Sequence, residues 1–153
     1  MLPVFERDVA HGTRALAELA SRPDQLVTSE ELAGLQGLPV KFLEGILTQL
    51  RRAGIVVSKR GAEGGYRLAR PAAEITVADV FRALDGPIAA VRGQAPEDLA
   101  YAGAAEHLRE VWVATRAALR TVLEQVSLAD LVSGQLPDTA RQLLAEPGAW
   151  ERR

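Results

Sequence analysis

The chain is 153 residues long, 48% hydrophobic and 25% charged, proportions close to those of ordinary globular domains, which exclude global disorder. It has no cysteine, so disulfides, thiolate chemistry and cysteine-held zinc or iron–sulfur clusters are ruled out. Net charge is −2, but residues 39–70 hold Lys41, Arg51, Arg52, Lys59, Arg60, Arg67 and Arg70 against Glu44 and Glu63, a local +5 that leaves −7 for the rest. A basic segment inside an acidic chain points to one surface for phosphates and another for something else.

No apolar run approaches the roughly 18 residues of a membrane span. Met1 to Ala10 carries Glu6, Arg7 and Asp8 and lacks a signal-peptide apolar stretch. The expectation is a soluble cytoplasmic protein. Residues 7–21 have helical spacing with Leu16, Leu19 and Ala20 on one face, stopped by Ser21-Arg22-Pro23. Thr28-Ser29-Glu30-Glu31 reads as a capping box, with Thr28 accepting from the third helical N–H and Glu31 reaching back. The short helix it starts should turn Leu32 and Leu35 inward until Gly37 breaks it.

Pro39 suits a first helical turn, where its missing N–H would be unpaired anyway. From there to about Ala53, Phe42, Ile46 and Leu50 form one stripe with Leu43 and Leu47 beside it, and Gly54 ends the helix. Two helices joined by a short glycine-containing turn make a helix-turn-helix, the second being the candidate reader of a DNA groove. Ile55 to Ser58 is a β-branched run, Lys59 to Gly65 a turn with three glycines and two cations, and Tyr66-Arg67-Leu68 a returning strand closed by Pro71. Strand, basic glycine-rich loop and strand form a hairpin. Attached to a helix-turn-helix, it is a wing. A nucleotide loop would lie between a strand and a helix and be followed by Gly-Lys-Ser/Thr, which is not the case here.

Thr76 and Asp79 cap a further helix to about Leu84, stopped by Asp85-Gly86-Pro87, and residues 88–100 read as a loop. From about Tyr101 to Val126 runs one long helical pattern in which Leu108, Trp112, Thr115, Leu119, Val122 and Val126 are spaced 4, 3, 4, 3 and 4 apart. That heptad spacing is a seam for another helix, and a second subunit is favoured over an intrachain core. Ser127 caps a last short helix from Leu128 to Val132, and a further one is expected around Thr139–Ala145 before the end of the chain.

These segments resemble the Rrf2 family of bacterial transcription regulators. The carrying residues are Leu38-Pro39-Val40-Lys41-Phe42-Leu43-Glu44, Leu50-Arg51-Arg52-Ala53-Gly54-Ile55-Val56, Lys59-Arg60-Gly61, Gly64-Gly65-Tyr66-Arg67-Leu68, Ile75 to Val80, Leu84-Asp85-Gly86 and Val126 to Val132. The likeness covers about residues 8–133. It implies a mainly α fold with a small β-hairpin wing, and a homodimer on a roughly palindromic operator, with the second helix in the major groove and the wing in the minor groove. On matching positions it assigns DNA contacts to Lys41, Phe42 and Glu44, the minor-groove arginine to Arg60, and phosphate contacts at a helix amino terminus to Thr28 and Ser29. Arg51, Arg52 and Lys59 join Lys41 and Arg60 as candidates for phosphate neutralisation. Many family members hold an iron–sulfur cluster through three cysteines before the long helix. Aligned on Trp112, this chain has Glu106, His107 and Arg109 in that neighbourhood, so no cofactor and no metal are expected.

The expected organisation is a winged helix-turn-helix over 1–86, a linker over 87–100, a dimerisation helix with its following helix over 101–133, and a tail over 134–153. The expected function is a DNA-binding regulator, a repressor in the first instance, with double-stranded DNA and a second copy of itself as partners. Regulation calls for an effector, a small molecule or a protein, that favours one dimer geometry; its expected place is loop 93–106 and the base of the long helix. The alternative is a winged helix that binds protein and not DNA, against which the +5 segment and the charged wing argue. An enzyme is not expected, because no nucleophile with a paired base and no metal-ligand cluster is present.

Overall fold

The computed structural model describes residues 7–152. The first helix, α1 (Arg7–Ala20), buries Val9, Ala15, Leu16 and Leu19, and its bounds agree with the spacing of those residues. In α2 (Ser29–Gln36) the Thr28 hydroxyl accepts from the Glu31 N–H at 3.1 Å. The return half of the expected capping box is not made, because the Glu31 carboxylate pairs with Arg22 at the end of α1. The buried stripe of this short helix is Ser29, Leu32 and Ala33. Leu35 falls off its edge and is 50% exposed, against the expectation that it points inward.

The third helix, α3 (Val40–Arg52), begins after Pro39 and buries Leu43, Ile46, Leu47 and Leu50. β1 (Val56–Lys59) and β2 (Gly65–Leu68) pair antiparallel in the register Val56↔Leu68 to Lys59↔Gly65. Lys59 therefore belongs to the strand, and only residues 60–64 form the wing tip. The helix α4 (Val77–Leu84) carries a complete capping box. Thr76 Oγ1 accepts from the Asp79 N–H at 3.1 Å and the Asp79 carboxylate accepts from the Thr76 N–H at 3.0 Å.

The long helix is shorter than its sequence pattern. α5 spans Leu108–Leu123, not Tyr101 to Val126. At its start, Gly103 takes a left-handed φ of 65° and residues 103–105 form only a single 3₁₀ turn. At its end, tertiary pairing wins over helical propensity. The Val126 carbonyl accepts from the Val77 N–H at 2.9 Å, and the Leu128 N–H donates to the Ile75 carbonyl at 2.9 Å. α6 (Leu128–Ser133) has its own capping box from Ser127 and Asp130, and α7 (Asp138–Leu144) follows.

Two cores result. The larger gathers α1, α2, α3, β1 and α4, through Leu16, Leu32, Leu47, Ile55 and Val80 among others, and includes Leu128 from α6. The smaller gathers Val9, Ala78, Phe81, Ile88 and Leu123, with Leu119 packed against it. α6, which the sequence pattern groups with the dimerisation helix, is thus stitched into the amino-terminal core.

Leu128→Ala tests that attachment. Leu128 has no exposed surface, so its truncation should cost about 2–5 kcal/mol and lower the midpoint of urea unfolding. An unchanged midpoint would mean that α6 does not belong to that core.

Candidate nucleic-acid interface

The wing is fastened to the rest of the chain by backbone. The Val27 N–H donates to the Tyr66 carbonyl at 3.0 Å and the Tyr66 N–H donates to the Val27 carbonyl at 2.8 Å. Val27 thus acts as a one-residue third strand just ahead of α2. The approach needs the glycine before Tyr66. A Cβ on Gly65 would lie 2.8–2.9 Å from the Val27 backbone, and its φ of 147° disfavours other residues. A Cβ on Gly64 would lie 2.2 Å from the Lys59 carbonyl oxygen. The close partner of the Gly-Gly-Tyr motif is the chain's own backbone.

This docking sets the wing beside the amino terminus of α2. Thr28, Ser29, Arg51, Ser58, Lys59, Arg60 and Tyr66 line one cleft of about 240 Å³. Arg51, from the last turn of α3, donates to the Ser58 hydroxyl at 3.4 Å. Arg51, Lys59 and Arg60 line it at the amino terminus of α2 with Glu30 beside them, which leaves the cleft net positive and suited to an anion. The structure brings five of the nine sequence-derived DNA residues together: Thr28, Ser29, Arg51, Lys59 and Arg60.

The other four are placed differently. Lys41, Glu44 and Arg52 are exposed on α3. Glu44 is tied to the cleft, because its carboxylate accepts from the Ser29 hydroxyl at 3.2 Å. Ser29 is itself buried, so that hydroxyl serves an internal bond between α2 and α3. Phe42 turns away from the exposed face of α3. It is half-buried, its ring edge-on to His11 with centroids 5.8 Å apart and the Arg7 guanidinium 4.8 Å from the ring centre. Its aromatic surface is occupied by α1, where it packs at the margin of the core. Arg70 joins the α4 cap, donating to the Glu74 carbonyl at 2.6 Å and lying 3.8 Å from Asp79.

The exposed face of α3 adds Gly45 and Gln49, which sequence reading did not name. Both are exposed and Thr48 is half-exposed, so with Lys41, Glu44 and Arg52 they form a continuous outward strip. Its i, i+3 and i, i+4 spacing is visible in the sequence once the buried stripe is known. Arg67 lies with Val57 in a second groove against residues 23–26, which shares Ser58 and Lys59 with the cleft.

The heptad seam of α5 is largely the helix's inner face. Leu119 packs on the smaller core and Val126 is 6% exposed. Trp112 is half-buried, its indole N–H donating to the Tyr101 hydroxyl at 3.1 Å. Leu108 and Val122 are half-buried, and Thr115 is exposed. An outward face lies beside this seam, with Val111 at 53% exposure and Ala114, Thr115 and Ala118 also exposed. Leu119 and Val126 of this spacing pack on their own chain, while Leu108, Trp112 and Val122 keep part of their surface open.

The loop before α5 is pinned to it by Glu97 and Arg116. The Arg116 side chain is only 13% exposed. The Glu97 carboxyl is held below its ordinary range, first by its own backbone N–H, then by the Arg116 guanidinium, with Arg120 adding to the effect.

Two substitutions test these contacts. Gly65→Ala should push Val27 away and lower the thermal unfolding midpoint read by circular dichroism, by an amount corresponding to at least about 1–3 kcal/mol. Glu97→Gln should speed amide exchange in residues 97–99 while leaving the global midpoint nearly unchanged. Because the Glu97 carboxyl titrates below its ordinary value, the wild-type loop should stay protected above that value. It should loosen only as the pH falls through the depressed one.

The model of the family described as "Rrf2: Iron-dependent Transcriptional regulator" matches residues 5–134. Rv1287 of Mycobacterium tuberculosis, a candidate helix-turn-helix transcriptional regulator, is 46% identical over 142 residues, covering 92% of this chain and 88% of that protein. The HTH-type transcriptional regulator CymR of Bacillus subtilis is 36% identical over 124 residues, covering 80% and 85%. The solved structure of CymR, the global cysteine regulator of that organism, is similar with a TM-score of 0.74 at 32% identity, over 88% of this chain and 99% of that one. The family and these relatives are transcriptional regulators and not enzymes. The chain belongs to the Rrf2 family of transcriptional regulators.

Proposed function

We propose that this regulator binds double-stranded DNA as a homodimer on a roughly palindromic operator, with α3 in the major groove and the Arg60 wing in the minor groove. The observation that carries the reading is the convergence of Arg51, Lys59 and Arg60 with the amino terminus of α2 around one cleft, beside the outward strip of α3. Phosphates neutralised by these cations, with Lys41 and Arg52, would supply most of the affinity. Lys41, Glu44 and Gln49 supply donors and acceptors for base edges, each good contact being worth about 1–3 kcal/mol. Arg60 at the wing tip suits a narrow A·T-rich minor groove, where negative potential concentrates. Repression is the simplest outcome of occupying an operator.

We infer that the dimer forms along α5, through the outward face of Val111, Ala114, Thr115 and Ala118, whose small side chains let a second helix approach closely. Leu108 and Val122 flank that face. On this reading the amino-terminal winged helix, with α6 stitched beneath it, is the reading head and α5 the spacer that sets two heads about 34 Å apart, one turn of DNA. Among the described residues no helix is long and apolar enough to cross a membrane.

The residues present do not fit the iron of the family's description. The chain has no thiolate donor, and cluster ligation rests on thiolates. Among the described residues no three His, Asp or Glu side chains converge as a metal site. Near the start of α5, Glu97 is committed to Arg116, and His107 stands exposed beside Glu106 and Glu110. No step of the proposed function passes through a metal.

The test is selection from a random duplex DNA pool at about 150 mM salt. The expected product is a palindrome with half-sites about one helical turn apart, lost in Arg60→Ala and Lys41→Ala. Binding should weaken by about 10³–10⁵ between about 50 and 200 mM salt if six to ten phosphates are contacted. Failure to enrich any sequence, with cell extract added as well, would favour the protein-binding reading of the winged helix.

A further inference from the structure

We propose that the cleft between loop 88–101 and the base of α5 is a binding site for a small aromatic carboxylate. The cleft measures about 480 Å³ and is lined by Val91, Arg92, Leu99, Tyr101, Leu108 and Trp112, a size ordinary for small-molecule sites. Aliphatic side chains and two aromatic rings give it apolar walls. Arg92, Gln94 and the Tyr101 hydroxyl are its polar side chains, and its polar wall is about as extensive as its apolar one.

Three features define the ligand. The Trp112 indole N–H donates to the Tyr101 oxygen at 3.1 Å. That bond uses the indole's only donor and leaves the phenol's own O–H available to donate. Arg92 lines the cleft, and among the described residues its guanidinium has no hydrogen-bond or ion-pair partner. Arg92 also sits at the tip of a two-residue turn closed by reciprocal Val91–Gln94 bonds of 2.9 and 3.0 Å. There it adopts a φ of 51°, followed by Gly93 at 79°. A left-handed conformation is costly for an arginine and free for a glycine, and such strain gathers at ligand clamps. Ala89, three residues earlier, is likewise left-handed at 57°.

The loop is anchored from below by the Glu97–Arg116 pair and by buried Pro96, so the cleft exists before anything enters it. The Arg92 guanidinium and the Tyr101 O–H are two donors for one carboxylate. The Trp112 and Tyr101 rings, with Leu99 and Leu108, accept a planar apolar body. A phosphate ester fits less well, because Arg92 is the one cation that lines the cleft. The site is separate from the cleft formed by α2, Arg51 and the wing, and its test contains no DNA, so its failure says nothing of the DNA reading.

Trp150→Phe leaves Trp112 as the sole tryptophan and its fluorescence as the reporter. Titration with benzoate should give a saturable change with a dissociation constant of about 1 mM, and benzyl alcohol, the same ring without the charge, should bind at least about tenfold more weakly. Arg92→Gly, which suits the left-handed backbone while removing the guanidinium, should weaken benzoate by at least about tenfold, and Arg92→Lys should stay within about threefold of the parent. The proposal is overturned if benzoate gives no saturable response up to about 20 mM, if benzyl alcohol matches it, or if Arg92→Gly binds as the parent does.

Discussion

The two hydrogen bonds between Val27 and Tyr66 hold the wing in place relative to everything else. A two-stranded hairpin is marginal alone in water, and this one has four residues per strand. Its position comes from Val27, which turns β2 into the middle of a three-strand patch. Because Val27 directly precedes Thr28 and Ser29, the same two bonds bring the amino terminus of α2 against the wing. The cationic cleft is a consequence, since Arg51 of α3 and Lys59 and Arg60 of the wing face the amino terminus of α2 only through this docking. Gly65 makes the approach possible by having no side chain to keep Val27 away.

A second stitch, between residues 75–77 and 126–128, decides how the carboxy-terminal half relates to the first. It ends α5 at Leu123 and inserts Leu128 in the main core. It therefore ties α5 to the winged helix through α6 as well as through Leu119 and Leu123. The Arg82–Glu124 pair reinforces the junction from the surface. On the proposed reading, a displacement of α5 is felt by the reading head, because the two share packed side chains and backbone bonds. Packed interfaces of this kind shift between discrete arrangements more readily than they deform.

The segment before α5 is where this chain departs from an iron-dependent relative. With no thiolates, order in residues 88–107 comes from a closed turn, a buried proline and the Glu97–Arg116 pair. The result is a preformed loop against the base of α5, with the unpaired Arg92 on one wall and the Tyr101–Trp112 bond on the other.

The sequence by itself determined the elements with strong local signals. α1, α3 and α4 follow from apolar spacing, their ends from Thr76 with Asp79, Pro39 and Gly54, and the hairpin from its β-branched run and glycines. The absence of cysteine settled the cluster question without any structure. Local signals failed where a distant partner decided the outcome. Glu31 left its cap for Arg22, Leu35 lost its place to Ala33, and Ser29 turned its hydroxyl to Glu44. The heptad of α5 marked a real apolar face, but periodicity carries no label for the surface that covers it. Tertiary structure assigned Leu119 and Val126 to the chain's own packing and left Val111 and Ala118 outside. The cationic cleft was legible as a list of residues; its convergence rests on two long-range backbone bonds that no local pattern encodes.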